Sequence, residues 1–132
     1  MKKILLIDDE EINLFILQNL LRLSQINAEI LFYNTSKKAI EYLKTLITEQ
    51  KGFPDLILLD IEMPVMNGWD FLDDYRKLDK SYQKDCKIII FTTSIIEQDI
   101  LKAQSYKEVQ DLLNKPMTVE MIKNIEQAYL VK

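Results

Sequence analysis

Histidine is absent from the 132-residue sequence, and cysteine occurs only once, at Cys86. Without histidine the chain lacks the usual general base and the commonest metal ligand, and it cannot itself carry a phosphohistidine. A single cysteine excludes a disulfide framework or a cysteine-ligated metal centre within one chain, and it fits a reducing, cytoplasmic location. Any chemistry of this chain must therefore use carboxylates, hydroxyls and lysines.

A surplus of positive charge is also missing, since 17 basic residues stand against 21 acidic ones and the net charge is −4. This sign disfavours direct binding to the phosphates of a nucleic acid. The apolar run after Lys2 and Lys3 ends at Asp8, too early for a secretory signal, and no stretch approaches the length of a transmembrane helix. The sequence predicts a soluble protein with no nucleic-acid or membrane partner.

Residues that break helices and strands are few, and they are Gly52, Gly68, Pro54, Pro64 and Pro116. All five fall at predicted junctions, so the predicted elements have uninterrupted interiors. Because 48% of the residues are apolar, a chain of this length can bury one core without disulfides or metals. We expect a single domain over residues 1–132, with no output domain.

Apolar residues fill every position of three short segments, residues 4–7, 56–59 and 88–91. Such runs are typical of parallel strands that helices cover on both faces. Residues 28–33 and 109–113 have the length and composition of flanking strands. The sequence therefore predicts five strands, with the three fully apolar ones at the centre of the sheet.

Between these strands, apolar residues recur every three or four positions, as on one face of a helix. The first helix is predicted to place Ile12, Ile16, Leu20 and Leu23 against the sheet. The corresponding positions of later helices are Ile40, Leu43 and Ile47, then Phe71, Tyr75 and Leu78, and finally Val119, Ile122, Glu126 and Tyr129. Five alternations of strand and helix predict an α/β fold with a doubly wound parallel sheet.

Capping residues support the starts of three helices. Asn67 precedes the third helix with Asp70 three residues later, and Ser94 and Glu97 form the same pattern for the fourth helix. Thr118 is predicted to cap the fifth helix.

Reactive side chains follow four of the predicted strands. Asp8 and Asp9 follow the first strand, Asp60 the third, Thr92 the fourth and Lys115 the fifth. The carboxyl ends of parallel strands meet at one edge of the sheet, where open α/β folds bind ligands, and neighbouring strands lie only about 4.8 Å apart. Each residue alone has an ordinary structural explanation, but a carboxylate directly after four apolar residues is costly unless a cation or hydrogen bonds compensate it. The sequence therefore predicts one functional site at this edge.

The carboxylates of Asp8, Asp9 and Asp60 suit a hard cation such as Mg²⁺, with Mn²⁺ as the alternative. A carboxylate can attack phosphorus to form an aspartyl phosphate when the charge of the transferring group is neutralised. Mg²⁺ and the Lys115 ammonium would supply that neutralisation, and the Thr92 hydroxyl would donate a hydrogen bond to the transferred group. We predict that Asp60 is a phosphoryl acceptor.

These residues, in this order and spacing, resemble the response-regulator receiver domain of two-component signalling, of the stand-alone single-domain type. The matching motifs are Leu5-Leu6-Ile7-Asp8-Asp9-Glu10, Pro54-Asp55, Asp60-Ile61-Glu62-Met63-Pro64, Gly68, Ile90-Phe91-Thr92 and Lys115-Pro116. They span essentially the whole chain. The resemblance implies the flavodoxin-like receiver fold, a five-stranded parallel sheet in the order 2-1-3-4-5.

The resemblance also implies that Asp60 receives a phosphoryl group from a histidine kinase or a histidine phosphotransfer protein. The metal ligands would be Asp9, Asp60 and the backbone carbonyl of Glu62, with Asp8 acting directly or through water. Lys115 would pair with Asp60 and then with the phosphate, and Thr92 would move to contact it. Phosphorylation would switch the binding of a downstream protein that the sequence does not name. The chain would be a monomer or weak dimer and no enzyme beyond its own phosphorylation and dephosphorylation.

Two positions depart from the family pattern. Leu112, three residues before Lys115, stands where many relatives carry an aromatic ring that rotates with the threonine, so a ring-flip switch is not predicted. Thr93 stands where a very small residue is common, which would narrow access to the phosphoryl site. Glu62 and Ser94 lie near the expected path of an attacking water, and we hypothesise that they tune the lifetime of the phosphorylated state. The alternative is that Glu62 is a solvated carboxylate and Ser94 a simple helix cap.

The surface that would contact a downstream protein is predicted around the fourth and fifth helices. Ile95, Ile96 and Tyr106 are apolar residues near that surface. Scattered exposed apolar residues are common on proteins, so these three identify no partner.

Three alternative functions share parts of this pattern. A metal-dependent phosphohydrolase with an aspartyl nucleophile usually needs a substrate-capping domain and a second aspartate two residues later, where this chain has Glu62. A flavin or dinucleotide binder needs a glycine-rich or hydroxyl-rich first loop, but Asp8 and Asp9 would repel phosphate. A receiver-like module that acts without phosphorylation usually lacks acidic residues that are all present here. The phosphorylatable receiver is the preferred prediction.

Overall fold

A computed structural model describes residues 2–63, 67–93 and 96–130. The predictions made for Pro64, Ser94 and Ile95 concern residues outside these ranges. The strands are β1 (Lys2–Ile7), β2 (Ala28–Tyr33), β3 (Leu56–Leu59), β4 (Lys87–Thr92) and β5 (Val109–Asn114). The helices are α1 (Glu11–Leu23), α2 (Ser36–Thr48), α3 (Gly68–Tyr75), α4 (Lys80–Gln83), α5 (Glu97–Gln104) and α6 (Val119–Ile125), the last continued by a π-helical turn, Glu126–Leu130. None of the helices in these ranges combines the length and apolar composition needed to cross a membrane.

The five strands form one parallel sheet in the order β2-β1-β3-β4-β5, which confirms the predicted architecture. The predicted central strands β1, β3 and β4 carry side chains buried on both faces, whereas β2 and β5 lie at the edges and are only partly buried. On one face Leu5 and Ile7 pack with α2 and α3, and on the other Ile4 and Leu6 pack with α1 and α6. Burial on both faces of the sheet is what a strand of consecutive apolar residues requires.

The predicted inward face of α1 was wrong. The helix buries Leu14, Leu17 and Leu21 against the sheet. Ile12 is 72% exposed and Ile16 is 49% exposed. Apolar residues surround almost the whole circumference of α1, so two stripes satisfy the helical period and the periodicity alone could not select between them. The rejected stripe forms an exposed apolar surface.

Helix starts agree with two of the three predicted caps. Asn67 and Asp70 form a capping box at α3, and the Thr118 hydroxyl accepts a hydrogen bond of 3.1 Å from the backbone N–H of Met121 at α6. The predicted fourth helix is α5, which begins at Glu97, and its N-cap residue, Ile96, has extended backbone angles. Its predicted cap, Ser94, lies outside the described residues. The one-turn helix α4 was not predicted, since four residues carry no usable helical period.

Candidate functional site

The ends of four strands, β1, β3, β4 and β5, bring the predicted reactive residues together. The ladder continues one residue past β1 and β3, where the Asp60 N–H donates to the Ile7 carbonyl at 2.9 Å. The Lys115 N–H donates to the Thr92 carbonyl at 2.7 Å, which ties the end of β5 to the end of β4. The carboxylates of Asp8, Asp9 and Asp60 each place an oxygen within 4.8 Å of the others. The sheet edge therefore assembles all five residues, as predicted.

Lys115 is the cation of this cluster. Its Nζ lies 2.8 Å from Asp8 Oδ2 and 3.4 Å from Asp60 Oδ2, so the ammonium bridges both carboxylates and is closer to Asp8. The resemblance implied only the pair with Asp60. The ammonium also lies 4.8 Å from the centre of the Phe91 ring, a cation–π contact that the sequence did not indicate. Lys115 is thus fixed from three sides.

Most of the cluster is shielded from solvent, and Asp9 is its partly exposed carboxylate. Asp8 is 1% exposed and Asp60 is 2% exposed, and the Lys115 side chain is 9% exposed. Burial raises the pKa of Asp60 to about 6, although the Glu62 N–H and the Lys115 ammonium both act to lower it. Burial lowers the pKa of Lys115, but its hydrogen bond to Asp8 and the charge of Asp60 outweigh this effect and leave the pKa raised. The carboxylates of Asp8 and Asp60 therefore favour the charged form of Lys115.

Three carboxylates and one ammonium leave the site with a formal charge of −2. Buried charges of one sign are costly unless a counter-ion compensates them. A divalent cation that prefers oxygen ligands matches both the charge and the chemistry of the donor set, and Mg²⁺ and Mn²⁺ are such cations. The residues present therefore fit the predicted metal.

Glu62 makes contacts that the sequence reasoning missed. Its backbone N–H donates to Asp60 Oδ1 at 2.9 Å, and its carboxylate accepts a hydrogen bond from the buried hydroxyl of Thr92. The Thr93 hydroxyl lies 3.4 Å from both carboxylate oxygens of Glu62. Thr92 therefore donates to Glu62 here, and not towards Asp60. Spacing along the chain gives no signal for this contact, because it depends on which rotamer Glu62 adopts.

The predicted output residues have different surroundings. Ile96 is 51% exposed, but Tyr106 is buried, with its hydroxyl donating to Asp73 Oδ1 at 2.6 Å and its ring stacked on Trp69. The expectation that Tyr106 contributes to an exposed apolar surface was wrong, because Tyr106 is only 7% exposed and both its ring and its hydroxyl contact other side chains. Leu112 is partly buried against the core.

Gly68 begins α3 directly against the end of β3. A Cβ at this position would lie 2.7 Å from Ile61 Cα and 2.8 Å from the Asp60 carbonyl oxygen, and backbone atoms cannot rotate away. We expect Gly68→Ala to lower the free energy of unfolding by about 1–3 kcal/mol, measured by urea denaturation. Gly52→Ala is the matched control, because no described atom lies within 4 Å of its added Cβ. Equal losses of stability in the two variants would contradict the close approach of Gly68 to the backbone of Asp60 and Ile61.

Comparison with known proteins gives the same family for most of the chain. Residues 4–126 match the family model of the response regulator receiver domain. The two-component response regulator ARR12 of Arabidopsis thaliana is 30% identical over 125 residues, which cover 95% of this chain and 19% of the plant protein. The transcriptional regulatory protein SpaR of Bacillus subtilis is 31% identical over 130 residues, which cover 98% of this chain and 52% of that protein. The chain thus spans about a fifth to a half of these relatives.

Solved structures share the fold over nearly full length. A two-component response regulator from Cytophaga hutchinsonii superimposes with a TM-score of 0.87 at 26% identity, covering 98% of this chain and 97% of its own. The Mn²⁺-bound form of response regulator Rcp1 superimposes with a TM-score of 0.78 at 25% identity, covering 96% and 93%. The family match, the strand order and the acidic strand ends agree, so the chain belongs to the response regulator receiver domain family of two-component systems.

Proposed function

We propose that this chain is a phosphorylatable receiver in which Asp60 accepts a phosphoryl group and thereby switches partner binding. Receiver domains are phosphoacceptor switches and not classical enzymes. The observation that carries the proposal is the buried carboxylate of Asp60 with Lys115 Nζ at 3.4 Å and the carboxylates of Asp8 and Asp9 beside it. A carboxylate held this way is a poised nucleophile whose surroundings can neutralise an incoming phosphoryl group.

The phosphoryl donor is proposed to be a phosphohistidine on a histidine kinase or phosphotransfer protein. An Asp60 oxygen forms a bond to phosphorus while the phosphorus–nitrogen bond of the donor breaks, and the electron pair of that bond stays on the imidazole nitrogen. Lys115 is placed to balance the negative charge on the phosphoryl oxygens. The hydroxyl of Thr92 would then donate to one of those oxygens.

A divalent cation is part of this proposal. Asp8, Asp9 and Asp60 would hold Mg²⁺ or Mn²⁺, with the backbone carbonyl of Glu62 as a further ligand. When bound, the cation neutralises charge on the phosphoryl oxygens and helps to hold the donor in line. The Mn²⁺-bound structure of the similar regulator Rcp1 supports this choice of ion.

The test of the proposed function is a single-turnover labelling experiment. Incubation of the native chain with phosphoramidate and Mg²⁺ is expected to add one phosphoryl group, measured by intact-protein mass spectrometry. A chelator in place of Mg²⁺ should reduce the labelled fraction strongly. Without the cation, the negative charges of the Asp60 carboxylate and the phosphoryl group would approach each other with less compensation. The proposal fails if the native chain gains no adduct under conditions that label another receiver domain.

The exposed apolar surface of α1 supports docking of a helical phosphodonor. Ile16 lines a groove of about 240 Å³ that also includes Phe91, Lys115 and Met117. The groove shares Lys115 with the site, so a helix seated there would bring its histidine near Asp60. An exposed apolar groove of this kind is a common way to bind an amphipathic helix.

Substitution of Ile16 tests this docking surface. Transfer from a phosphotransfer protein that labels the native chain should slow roughly 10-fold in Ile16→Asp, because a charge would replace an apolar contact at the interface. Labelling of the same variant by phosphoramidate should stay unchanged, since the small donor needs no docking. Leu101→Asp on α5 is the matched control, because Leu101 is 60% exposed and α5 packs through Ala103 on the opposite face of the sheet from α1. Equal slowing by both substitutions would exclude the α1 groove as the docking surface.

A further inference from the structure

The hydroxyl of Thr92 is already occupied in this structure. Thr92 is fully buried, and its hydroxyl donates to the Glu62 carboxylate. A threonine hydroxyl has one proton and can donate one hydrogen bond at a time. The same proton cannot contact Glu62 and a phosphoryl group on Asp60 together.

Glu62 is held in place from two directions. Its backbone is tied to the nucleophile, because its N–H donates to Asp60 Oδ1 at 2.9 Å. Its side chain reaches the end of β4, where the Thr93 hydroxyl lies 3.4 Å from each carboxylate oxygen. Thr93 therefore supplies a second donor that favours the rotamer in contact with Thr92. A hydrogen bond to a charged acceptor is stronger than one between neutral groups.

We propose that Glu62 is a latch that holds the Thr92 hydroxyl away from Asp60 in the unphosphorylated protein, with Thr93 as its second anchor. The inference rests on the proposed function, because the latch opposes the state in which Thr92 contacts the phosphoryl group. Phosphorylation must break the bond between Thr92 and Glu62, so the latch lowers the rate and extent of phosphoryl acceptance. Glu62 acts here through Thr92 and is a positioning residue.

Release of the latch should speed phosphorylation. With phosphoramidate and Mg²⁺, we expect Glu62→Ala to be labelled roughly 10-fold faster than the native chain, because a charged hydrogen bond no longer competes for Thr92. Glu62→Gln should be labelled at an intermediate rate, since its amide oxygen still accepts a hydrogen bond without the charge. Thr93→Ala should also be intermediate, because Thr92 keeps its partner. Glu41→Ala, which removes an exposed carboxylate from α2, is the matched control and should leave the rate unchanged.

A Thr92→Val background separates the latch from simple charge repulsion. Valine keeps the shape of threonine and removes the hydroxyl, so residue 92 can no longer donate a hydrogen bond to Glu62. Glu62→Ala should then leave the labelling rate of Thr92→Val unchanged. If the acceleration persists in this background, Glu62 acts by its charge on the approaching phosphoryl group, and the latch is wrong.

Unfolding measurements test the latch without any phosphodonor. The native chain, Glu62→Ala, Thr92→Val and the double variant form a cycle, and a contact between the two residues makes their effects on the free energy of unfolding in urea non-additive. Additive effects overturn the latch whether or not the protein is phosphorylated. Equal labelling of native chain and Glu62→Ala overturns the latch alone, whereas no labelling of either protein overturns the proposed function.

Discussion

Asp60→Asn is expected to gain no phosphoryl group from phosphoramidate and Mg²⁺, whereas the native chain gains one. The amide of asparagine has nearly the shape of the carboxylate and can still accept the hydrogen bond from the Glu62 N–H. It carries no negative charge, however, so it is a poor nucleophile and a weaker ligand for a hard cation. The substitution therefore removes the chemistry with little change in packing.

Intact-protein mass spectrometry after equal exposure measures this loss. Asp85→Asn is the matched control, because Asp85 is exposed and lies before β4, away from the strand ends that form the site. The control should gain the same adduct as the native chain. An adduct of equal amount on Asp60→Asn would place the modification on another side chain and would refute the assignment of Asp60.

The sheet was predictable because its central strands are unusual segments of sequence. Four consecutive apolar residues bounded by polar ones fit a strand covered on both faces, and β1, β3 and β4 each contain such a run. The position of the site could then be predicted from the sheet, since parallel strands bring their carboxyl ends to one edge. Asp60, Thr92 and Lys115 were found by their positions along the chain.

Side-chain pairing was less predictable than the backbone. Helix α1 has two apolar stripes, and only tertiary packing decides that Leu14 and Leu17 face inward. The bond from Thr92 to Glu62 joins residues on different strand ends, so it depends on rotamers and not on sequence period. The contact of Lys115 with Asp8 is of the same kind, because the ammonium is within reach of two carboxylates and local geometry decides which is closer.

Lys115→Met should lower the free energy of unfolding by about 3–5 kcal/mol when a chelator removes divalent ions. Methionine has a similar length and preserves most of the packing, but it leaves the buried carboxylates of Asp8 and Asp60 without their cation. The measurement is urea denaturation at constant pH, with the slope checked for two-state behaviour. Lys77→Met is the matched control, because Lys77 is 77% exposed and lies 3.9 Å from Asp74. A surface pair of this kind is worth about 0–1 kcal/mol, so a loss of that size in Lys115→Met would contradict a buried ion pair.

Added Mg²⁺ should stabilise Lys115→Met more than the native chain. In the native protein the ammonium already compensates part of the charge of the three carboxylates, and it repels a second cation. Without the ammonium, the same carboxylates bind the divalent cation more tightly, and binding to the folded state alone raises its stability. The contributions of Lys115 and Mg²⁺ are therefore expected to be non-additive. Equal Mg²⁺-dependent increments in both proteins would mean that the ion binds away from Asp8 and Asp60, and the proposed metal site would be wrong.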